Sequence, residues 1–328
     1  MIHRAFIRIS LAALAMSVFC GAQAQQYPSK PITFIVPFGA GGDSDLSGRN
    51  LAQFVPKYLG GDPTIIVVNR VGASGAIGSM AVKSAAPDGY TLLVARIATH
   101  AINPAMDTKL QYKWNDFTML SLLELNPYVC VVKGDSPIRG MPQLVEQMRR
   151  EPGKLNFSTS GIGTVQNLGP QYFFTLAGLT KDHAVGIHYK SGGDVTTSLL
   201  GNQVQFACNN LTTILSHIKA GTLRAVMITT PERLKELPDV PTSRELGWPD
   251  MERIVGWTAL MGPAGMPKDI VDRWVDALGK VAKDPDWLAG NAKLGGIPSI
   301  RSQADTEKFV REQYELYEGL ATRLGIRQ

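Results

Sequence analysis

The segment ITFIVPFGAGGDSDLSGR, residues 32–49, constrains the fold most strongly. Ile32–Val36 is an apolar run without polar alternation, which is typical of a buried parallel strand. A glycine-rich loop follows, and either Asp43 or Ser44 can then begin a helix. Backbone N–H groups at such a junction have no intrahelical partner and carry the positive end of the helix dipole. The segment therefore predicts an anion-binding turn between a strand and a helix.

Short strands and helices alternate through the first part of the chain. Thr64–Val68 and Thr91–Ala95 are two further apolar runs. A second glycine loop, VGASGAIG, and a helix around Met80 separate them. Strand–helix–strand order with short connections predicts a parallel sheet with right-handed crossovers.

A second alternating series predicts a second lobe. Its strands are predicted at Tyr128–Val132, Leu155–Ser158, Ala184–His188, Val204–Ala207 and Leu223–Thr229. The tail, residues 267–328, has helical periodicity without strands and needs a sheet to pack against. We expect an α/β protein of two lobes, each a mainly parallel sheet flanked by helices. Lobe 1 comprises residues 25–127 and 255–328, lobe 2 comprises residues 128–254, and the two chain crossings between them predict a hinge.

The first 24 residues are predicted to be a cleaved export signal. A basic region at residues 3–8 precedes an apolar core, Leu11–Phe19, and an Ala-Gln-Ala cleavage site ends at Ala24. The apolar core has about ten residues, fewer than the ~20 that span a bilayer. Lipidation of Cys20 is an alternative, although the bulky residue before it fits such sites poorly. We expect the mature protein to be soluble and periplasmic.

Charge and cysteine content limit the function classes further. The formal net charge of +5 falls to +3 once Arg4 and Arg8 leave with the signal. The sequence has no basic tract interleaved with aromatic residues of the kind that binds nucleic acid. Cys130 and Cys208 remain in the mature chain, each in an apolar, strand-like run. We expect two buried thiols there rather than a disulfide.

The loops after the predicted strands are the expected ligand site, because α/β sheets bind ligands beyond the carboxyl ends of their strands. Four of the five loops are rich in Gly, Ser, Thr or Asn, which supply neutral donors, and Arg96 adds a positive charge. The loops span residues 38–45, 96–100, 158–164, 189–193 and 209–210. Their alignment at one edge of each sheet predicts a shared binding cleft.

Motifs for catalysis and metal binding are missing from the sequence. It has no G-x-S-x-G, H-E-x-x-H or C-x-x-C motif, and no histidine has a partner at metal-ligand spacing. His188 is interpreted as a strand residue, and His100 has a surface or capping role as an alternative to ligand contact. Asp45 and Arg49 are spaced as a helix-surface ion pair, or Asp45 braces the glycine loop. We predict no catalytic residue, no metal and no cofactor.

A dinucleotide-binding turn is the cofactor alternative, since Gly39-Ala40-Gly41 follows a strand. The third glycine of G-x-G-x-x-G falls on Ser44, so the fingerprint fails, although Arg70 could mimic an NADP-selective residue. An export signal also argues against a nicotinamide enzyme.

A series of segments spans nearly the whole mature chain: YPSKPITFIVPFGAGGDSD, VVNRVGASGAIGS, AAPDGYTLL, HAINPAM, NPYVCVV, STSGIGTVQNLG, HYKSGG, LPDVPTSRELG and GPAGMPKDIVD. In this order they resemble the Bug family, the periplasmic solute-binding receptors of tripartite tricarboxylate transporters. The resemblance implies two lobes of the periplasmic binding protein type (type II-like) that close on one small carboxylate. It also implies that backbone amides, small polar side chains and ordered water hold the carboxylate, from loops matching residues 38–45 and 158–166. The implied partners are the membrane subunits of such a transporter.

The loops and the resemblance together give a set of candidate ligand-binding residues. They are Phe38, Gly39, Ala40, Gly41, Gly42, Ser44, Asp45, Arg96, Thr99, His100, Ser160, Gly161, Thr164, Gln166, Tyr189 and Asn209.

Two departures from the family pattern bear on the ligand. Many members have Asp-Asn near Asn209-Asn210, so Asn209 removes a carboxylate that would pair with an amino group. Arg96 is unusual in its loop and can fork onto a second carboxylate, with a solvated strand-end arginine as the alternative. We predict a ligand without an amino group, and a dicarboxylate more readily than a monocarboxylate. Phe38 and Tyr189 beside the cleft also favour an aromatic acid.

We expect a monomeric receptor for an organic acid that performs no chemistry. One alternative is a ligand-sensing partner of a membrane signalling protein, which would share the binding site. Another is an exported hydrolase or isomerase on the same scaffold, which needs a base and a nucleophile that these loops do not provide. Citrate-like acids, aromatic carboxylates and nicotinate-like compounds all remain open as ligands.

Overall fold

The computed structural model of the protein describes residues 27–323 and 325–327, which form two β-sheets flanked by helices. The predicted export signal and its cleavage site lie outside the described residues. The strands are β1 (Ile32–Val36), β2 (Ile65–Asn69), β3 (Thr91–Arg96), β4 (Phe117–Asn126), β5 (Tyr128–Lys133), β6 (Leu155–Thr159), β7 (Ala184–His188), β8 (Phe206–Asn210), β9 (Leu223–Ile228), β10 (Gly256–Pro263) and β11 (Ile297–Pro298).

The α-helices alternate with these strands and then fill the C-terminal part. They are α1 (Asp43–Phe54), α2 (Pro56–Leu59), α3 (Ala76–Lys83), α4 (Asn103–Met106), α5 (Met141–Arg150), α6 (Val165–Leu176), α7 (Gly192–Leu200), α8 (Leu215–Lys219), α9 (Lys268–Val281), α10 (Pro285–Leu294) and α11 (Gln303–Arg323). Among the described residues, none of the helices combines the length and the apolar character needed to cross a membrane.

The first sheet has the strand order β11-β4-β10-β3-β1-β2. Strand β1 pairs in parallel with β2 and β3, as the alternating sequence predicts. Strand β10 pairs antiparallel with both β3 and β4, and β11 pairs antiparallel with β4. Three of the five strand pairings in this sheet are therefore antiparallel.

The second sheet has the order β7-β6-β8-β5-β9 and is also mixed. Strand β6 is parallel to β7 and β8, whereas β5 is antiparallel to β8 and β9. Two sheets flanked by helices are confirmed, but the expectation that each is mainly parallel is wrong. The physical reason is that these strands carry the chain from one sheet to the other. Strand β4 leads into β5 through Pro127, and β10 follows the return of the chain to the first sheet. Neither connection is the helical crossover within one sheet that joins parallel strands.

The C-terminal helices lie against the first sheet. Helix α9 buries Trp274 against Phe34 of β1, with ring centroids 6.0 Å apart. Trp274 Nε1 also donates to the Tyr27 hydroxyl at 2.7 Å. The same cluster holds Leu278 and Val281, so the tail is stabilised by burying its apolar face. The expectation that the tail has no strand is wrong, because β11 lies within it and pairs with β4.

Cys130 and Cys208 form a disulfide, so the expectation of two separate buried thiols is wrong. Strands β5 and β8 pair antiparallel, and their register places these two residues directly opposite each other. Their Cα atoms are 3.9 Å apart, although 78 residues separate them in the chain. Register between distant strands is a property of the fold, which the local sequence around each cysteine does not reveal.

Candidate functional site

A closed cavity lies where helix N-termini from both sheets meet the end of β3. The residues that line it are Phe38, Gly42, Asp43, Ser44, Arg96, Ile97, Ala98, Ser160, Thr164, Val165, Gln166 and Gly192. Its volume of about 20 Å³ leaves room for about one water molecule, so the cleft is closed in this conformation. The predicted loops after β1, β3, β6 and β7 all reach its wall, as expected for the carboxyl ends of strands.

Two helix N-termini face the cavity from opposite sheets without a side-chain cap. Helix α1 begins after Gly42 and α6 begins after Thr164, and neither residue makes a capping hydrogen bond with its side chain. The first N–H groups of a helix have no intrahelical partner and carry its positive partial charge. Converging helix N-termini of this kind favour an anion between them.

Asp45 braces the first glycine loop instead of lining the cavity. Its Oδ2 accepts a hydrogen bond from Gly41 N at 3.0 Å, and its Oδ1 accepts one from Asn69 Nδ2 at 3.0 Å. Arg49 Nε donates to the same carboxylate at 3.0 Å. Burial opposes ionisation, but these hydrogen bonds prevail and lower the pKa of Asp45. Gly41 has φ +74, a conformation that favours glycine, so the ionised Asp45 and this glycine together fix the turn.

The loop at residues 158–164, between β6 and α6, is held in shape by the hydroxyl groups of its own residues. Thr164 Oγ1 donates to Gly161 O at 2.7 Å, and Thr159 Oγ1 donates to the same oxygen at 2.9 Å. The Thr164 proton is therefore used within the loop. Ser160 also lines the cavity, and its hydroxyl has no hydrogen bond to any other described residue. Ser160 is thus the hydroxyl of this loop that can donate to a ligand.

Asn209 supports the cavity from behind. Its Oδ1 accepts from Gln166 Nε2 at 3.0 Å, and its Nδ2 donates to Gly192 O at 3.0 Å. Asn209 is fully buried and does not line the cavity, whereas Gln166 and Gly192 do. Its amide therefore fixes the starts of α6 and α7 relative to each other.

Arg96 lines the cavity, and three of its guanidinium hydrogen bonds go to the protein. Nη2 lies 3.0 Å from Asp43 Oδ2, while Nη1 donates to Asn126 Oδ1 at 2.7 Å and to Thr258 Oγ1 at 2.6 Å. The predicted alternative of a solvated arginine is wrong, because Arg96 is 3% exposed. Its Nε–H and one Nη2–H make no hydrogen bond to another described residue, so the contact of Arg96 with a second ligand carboxylate stays a prediction.

The network around Arg96 continues between the two sheets. Asn126 Nδ2 donates to Thr212 Oγ1 at 2.9 Å and to Glu124 Oε1 at 3.0 Å. Glu124 is completely buried, and this burial raises its pKa. Asp43 joins the two sheets as well, since its Oδ2 accepts from Asn210 Nδ2 at 2.6 Å. Buried polar contacts of this kind are costly when broken, so they define one closed geometry.

Thr99 and His100 lie behind the cavity wall. Thr99 Oγ1 accepts from Arg96 N at 3.0 Å, so it shapes the end of β3. His100 is fully buried, with its ring centroid 4.6 Å from that of Phe117. Burial lowers the pKa of His100 to about 3, so it is neutral at physiological pH. The predicted surface role for His100 is therefore wrong.

The remaining candidates lie beside the cavity without lining it. Tyr189 donates its hydroxyl to Gln203 Oε1 at 3.1 Å, so its predicted place beside the ligand is not supported. Ala40 is exposed. Gly39 lies against Ser191 of the other sheet: a Cβ at this position would lie 3.2 Å from that side chain. The glycine loop thus lets the two halves approach closely.

A larger groove of about 570 Å³ lies on the second sheet, away from the aligned strand ends. Its wall includes Arg224, but the guanidinium of this residue donates to the carbonyl oxygens of Gly134, Ser136 and Ile138. The cation is therefore used to hold the chain. We favour the small cavity as the functional site, because helix N-termini from both sheets converge there.

Sequence reasoning missed five residues of the cavity wall. They are Asp43, Ile97, Ala98, Val165 and Gly192. Asp43 lies within the predicted loop 38–45, where the local sequence indicates only a helix cap. Its contacts with Arg96 and Asn210 join residues far apart in the sequence, so local patterns do not reveal them. Ile97, Ala98 and Gly192 lie within the predicted loops 96–100 and 189–193, and Val165 begins the predicted helix after the loop 158–164, so their position was the available signal.

Comparison with known proteins places the chain in a family. Residues 48–326 match the family described as "Tripartite tricarboxylate transporter family receptor". Protein BugT of Bordetella pertussis is 30% identical over 323 residues, which cover 98% of this chain and 96% of BugT.

Solved structures agree with this match. MatC from Rhodopseudomonas palustris, solved with bound malate, is 27% identical with a TM-score of 0.83 and covers 90% of this chain and 99% of its own. Another R. palustris protein, solved with adipate, is 25% identical with a TM-score of 0.85 and covers 91% of this chain and 98% of its own. The chain therefore belongs to the tripartite tricarboxylate transporter receptor family, as its resemblance to the Bug receptors predicted.

Proposed function

We propose that this protein is a periplasmic receptor that captures a small organic carboxylate and delivers it to the membrane subunits of a tripartite tricarboxylate transporter. The observation that carries the proposal is the pair of uncapped helix N-termini, α1 and α6, that face one cavity from opposite sheets. Backbone N–H groups and the Ser160 hydroxyl bind the anion without a competing fixed charge of their own. A site of neutral donors can release its ligand, which a receptor must do.

The ligand has no amino group in this proposal. The charge of Asp43 is already compensated by Arg96 at 3.0 Å, and Asn209 contributes a neutral amide. A buried ammonium group would therefore lack a carboxylate of its own, which is costly. The malate and adipate of the related structures likewise lack an amino group.

Export and a monomeric state complete the proposal. The predicted signal, residues 1–24, would direct the chain to the periplasm, where the oxidising environment suits the bond between Cys130 and Cys208. A single chain carries the whole cavity, so no second copy is needed to form the site.

A binding screen tests the proposed function. Purified mature protein is heated with a panel of mono-, di- and tricarboxylates, aromatic acids included, and hits are titrated by calorimetry. A ligand present at 100 times its Kd adds about 2.7 kcal/mol of stability if it binds only the folded state. Stabilisation by at least one carboxylate is expected. Failure of every acid, or turnover of the acid that binds, would contradict the receptor proposal.

Hinge closure is the first prediction from this function. Lobes divided at 127/128 and 254/255 are joined by two chain segments and meet through Asp43–Asn210 and Ser74 Oγ–Gly163 N, the latter 3.3 Å apart. A cavity that holds about one water must open to admit an acid, so ligand binding should favour the closed form. Small-angle scattering should give a smaller radius of gyration with the bound acid than with a non-binding acid at equal ionic strength. Identical profiles would argue against a hinge.

Ser160→Ala is expected to weaken carboxylate binding without disturbing the fold. The substitution removes a cavity hydroxyl that makes no other hydrogen bond among the described residues. A hydrogen bond to a charged group contributes roughly 1.5–3 kcal/mol, so the Kd should rise about 10- to 100-fold. Calorimetric titration measures the change. Ser216→Ala is the matched control, because Ser216 is an exposed serine of α8, and this variant should bind as the wild type does. Equal affinity of the two variants for the acid would show that Ser160 does not belong to the site.

A further inference from the structure

Asp43 presents an unused hydrogen-bond acceptor in the cavity wall. It is the first residue of α1, lines the cavity and is 6% exposed. Its Oδ2 accepts from Arg96 Nη2 at 3.0 Å and from Asn210 Nδ2 at 2.6 Å. Its Oδ1 is buried and has no hydrogen-bond partner among the described residues. A buried acceptor without a donor carries a desolvation cost, which a donor on the ligand would remove.

The neighbouring groups define what kind of donor fits. Asn210 Oδ1 is also without a partner, but it lies toward Gly256, where a Cβ would be 2.1 Å away, so Asp43 is the acceptor in the cavity wall. A ligand carboxylate only accepts hydrogen bonds and cannot donate to Oδ1, so it belongs at the N–H groups of α1 and α6 and at Ser160, and Oδ1 is left for another group of the ligand. Arg96 already compensates the charge of Asp43. What Oδ1 lacks is therefore a hydrogen-bond donor, and this donor does not need to be positively charged. A neutral hydroxyl meets that need.

We propose that Asp43 Oδ1 is a hydroxyl-binding subsite, and that the protein prefers a hydroxy acid to the same acid without its hydroxyl. The inference rests on the proposed carboxylate-binding function and names the ligand class more closely. A site built to hydrogen-bond a ligand hydroxyl rejects the analogue that lacks it, because the buried acceptor is then left unpaired. Asp43 is held rigidly by Arg96 and Asn210, so its free oxygen cannot turn away to find another donor.

Matched acid pairs test the inference on wild-type protein. The probes are succinate and malate, propionate and lactate, phenylacetate and mandelate, and tricarballylate and citrate, with aspartate as the amino counterpart of malate. In each pair that binds, the hydroxy acid should have a Kd roughly 10- to 100-fold lower by calorimetric titration. Equal or tighter binding of the deoxy acids would overturn the subsite, and tighter binding of aspartate than of malate would overturn its assignment to a hydroxyl. If no acid in the panel binds, the receptor proposal itself fails, and this inference with it.

Asp43→Asn tests whether Asp43 is the residue responsible. The asparagine oxygen can still accept from Arg96 and Asn210, which places the amide nitrogen where Oδ1 was and turns the free acceptor into a donor. The ratio of deoxy-acid to hydroxy-acid Kd should fall well below its wild-type value, because the ligand hydroxyl can then only accept a weaker, neutral hydrogen bond from the amide. A retained ratio would overturn the role of Asp43 as an acceptor. Asp284→Asn is the control: it alters another buried carboxylate, paired with Lys57 and Tyr58 away from the cavity, and should keep the wild-type ratio.

Discussion

Replacing Arg96 with methionine is expected to lower the free energy of unfolding by about 3–5 kcal/mol, because it leaves a buried carboxylate without its cation. The side chains of Arg96 and Asp43 are 4% and 7% exposed, so water cannot take the place of the guanidinium. Burial already raises the pKa of Asp43, and Arg96 opposes that rise. The hydrogen bonds to Asn126 and Thr258 are lost as well. Urea unfolding at neutral pH measures the change.

Two further variants separate the buried charge from a general effect of losing an arginine. Arg311→Met breaks an ion pair with Glu307 whose side chains are about half exposed, and this should cost about 1 kcal/mol or less. Adding Asp43→Asn to Arg96→Met removes the unpaired charge and should recover part of the lost stability. A loss below 1 kcal/mol for Arg96→Met alone would show that the pair does not stabilise the fold.

Removing the disulfide by the double substitution Cys130→Ala and Cys208→Ala is expected to cost about 4–5 kcal/mol of unfolding free energy. The bond closes a loop between residues 78 positions apart, and loop-closure entropy of the unfolded chain predicts a cost of this size. Both cysteines are buried in the second sheet, so lost packing adds to the effect. Denaturant unfolding of both proteins, prepared by export to the periplasm, gives the difference.

A reductant provides the control for this measurement. With reductant present, the unfolded wild-type chain loses its cross-link, so its apparent stability should fall toward that of the double variant, while the variant itself should not change. Thiol titration of the unfolded, unreduced wild type should find neither Cys130 nor Cys208 free. Free thiols, or equal stability of the two proteins without reductant, would contradict the bond.

Much of the fold could be predicted from the local sequence. The run at β1, the glycine loop and the start of α1 follow one another within 20 residues, and each is specified by the residue types present. The same is true of β6, the loop that follows it at residues 158–164, and α6. The sequence also identified Phe38, Gly42, Ser44, Ser160, Thr164 and Gln166, which the structure brings to one cavity. Loops at the carboxyl ends of strands share an edge of their own sheet, so the grouping within each sheet needed no knowledge of distant contacts, whereas the meeting of the two edges depends on the tertiary structure.

Strand direction and cysteine pairing required the tertiary structure. β4 and β10 belong to one sheet although some 130 residues separate them, and Cys130 meets Cys208 only through the register of β5 on β8. Apolar strands have similar sequence patterns whichever strand lies beside them, because the alternation of side chains reflects their burial and does not identify the pairing partner. The mixed sheets and the disulfide therefore could not be inferred from periodicity.

The sequence by itself determined that glycine loops precede helices at the ends of β1 and β6, the basis of the proposed anion site, since that depends on residues a few positions apart. Only the tertiary structure decided which charges are free to meet a ligand. The sequence indicates a free cation at Arg96, but folding pairs it with Asp43, and the sequence indicates a helix cap at Asp43, but folding places that residue in the cavity wall with its Oδ1 unpaired. A buried charge must find its partner wherever the fold places one, and that partner lies 53 residues away in the chain.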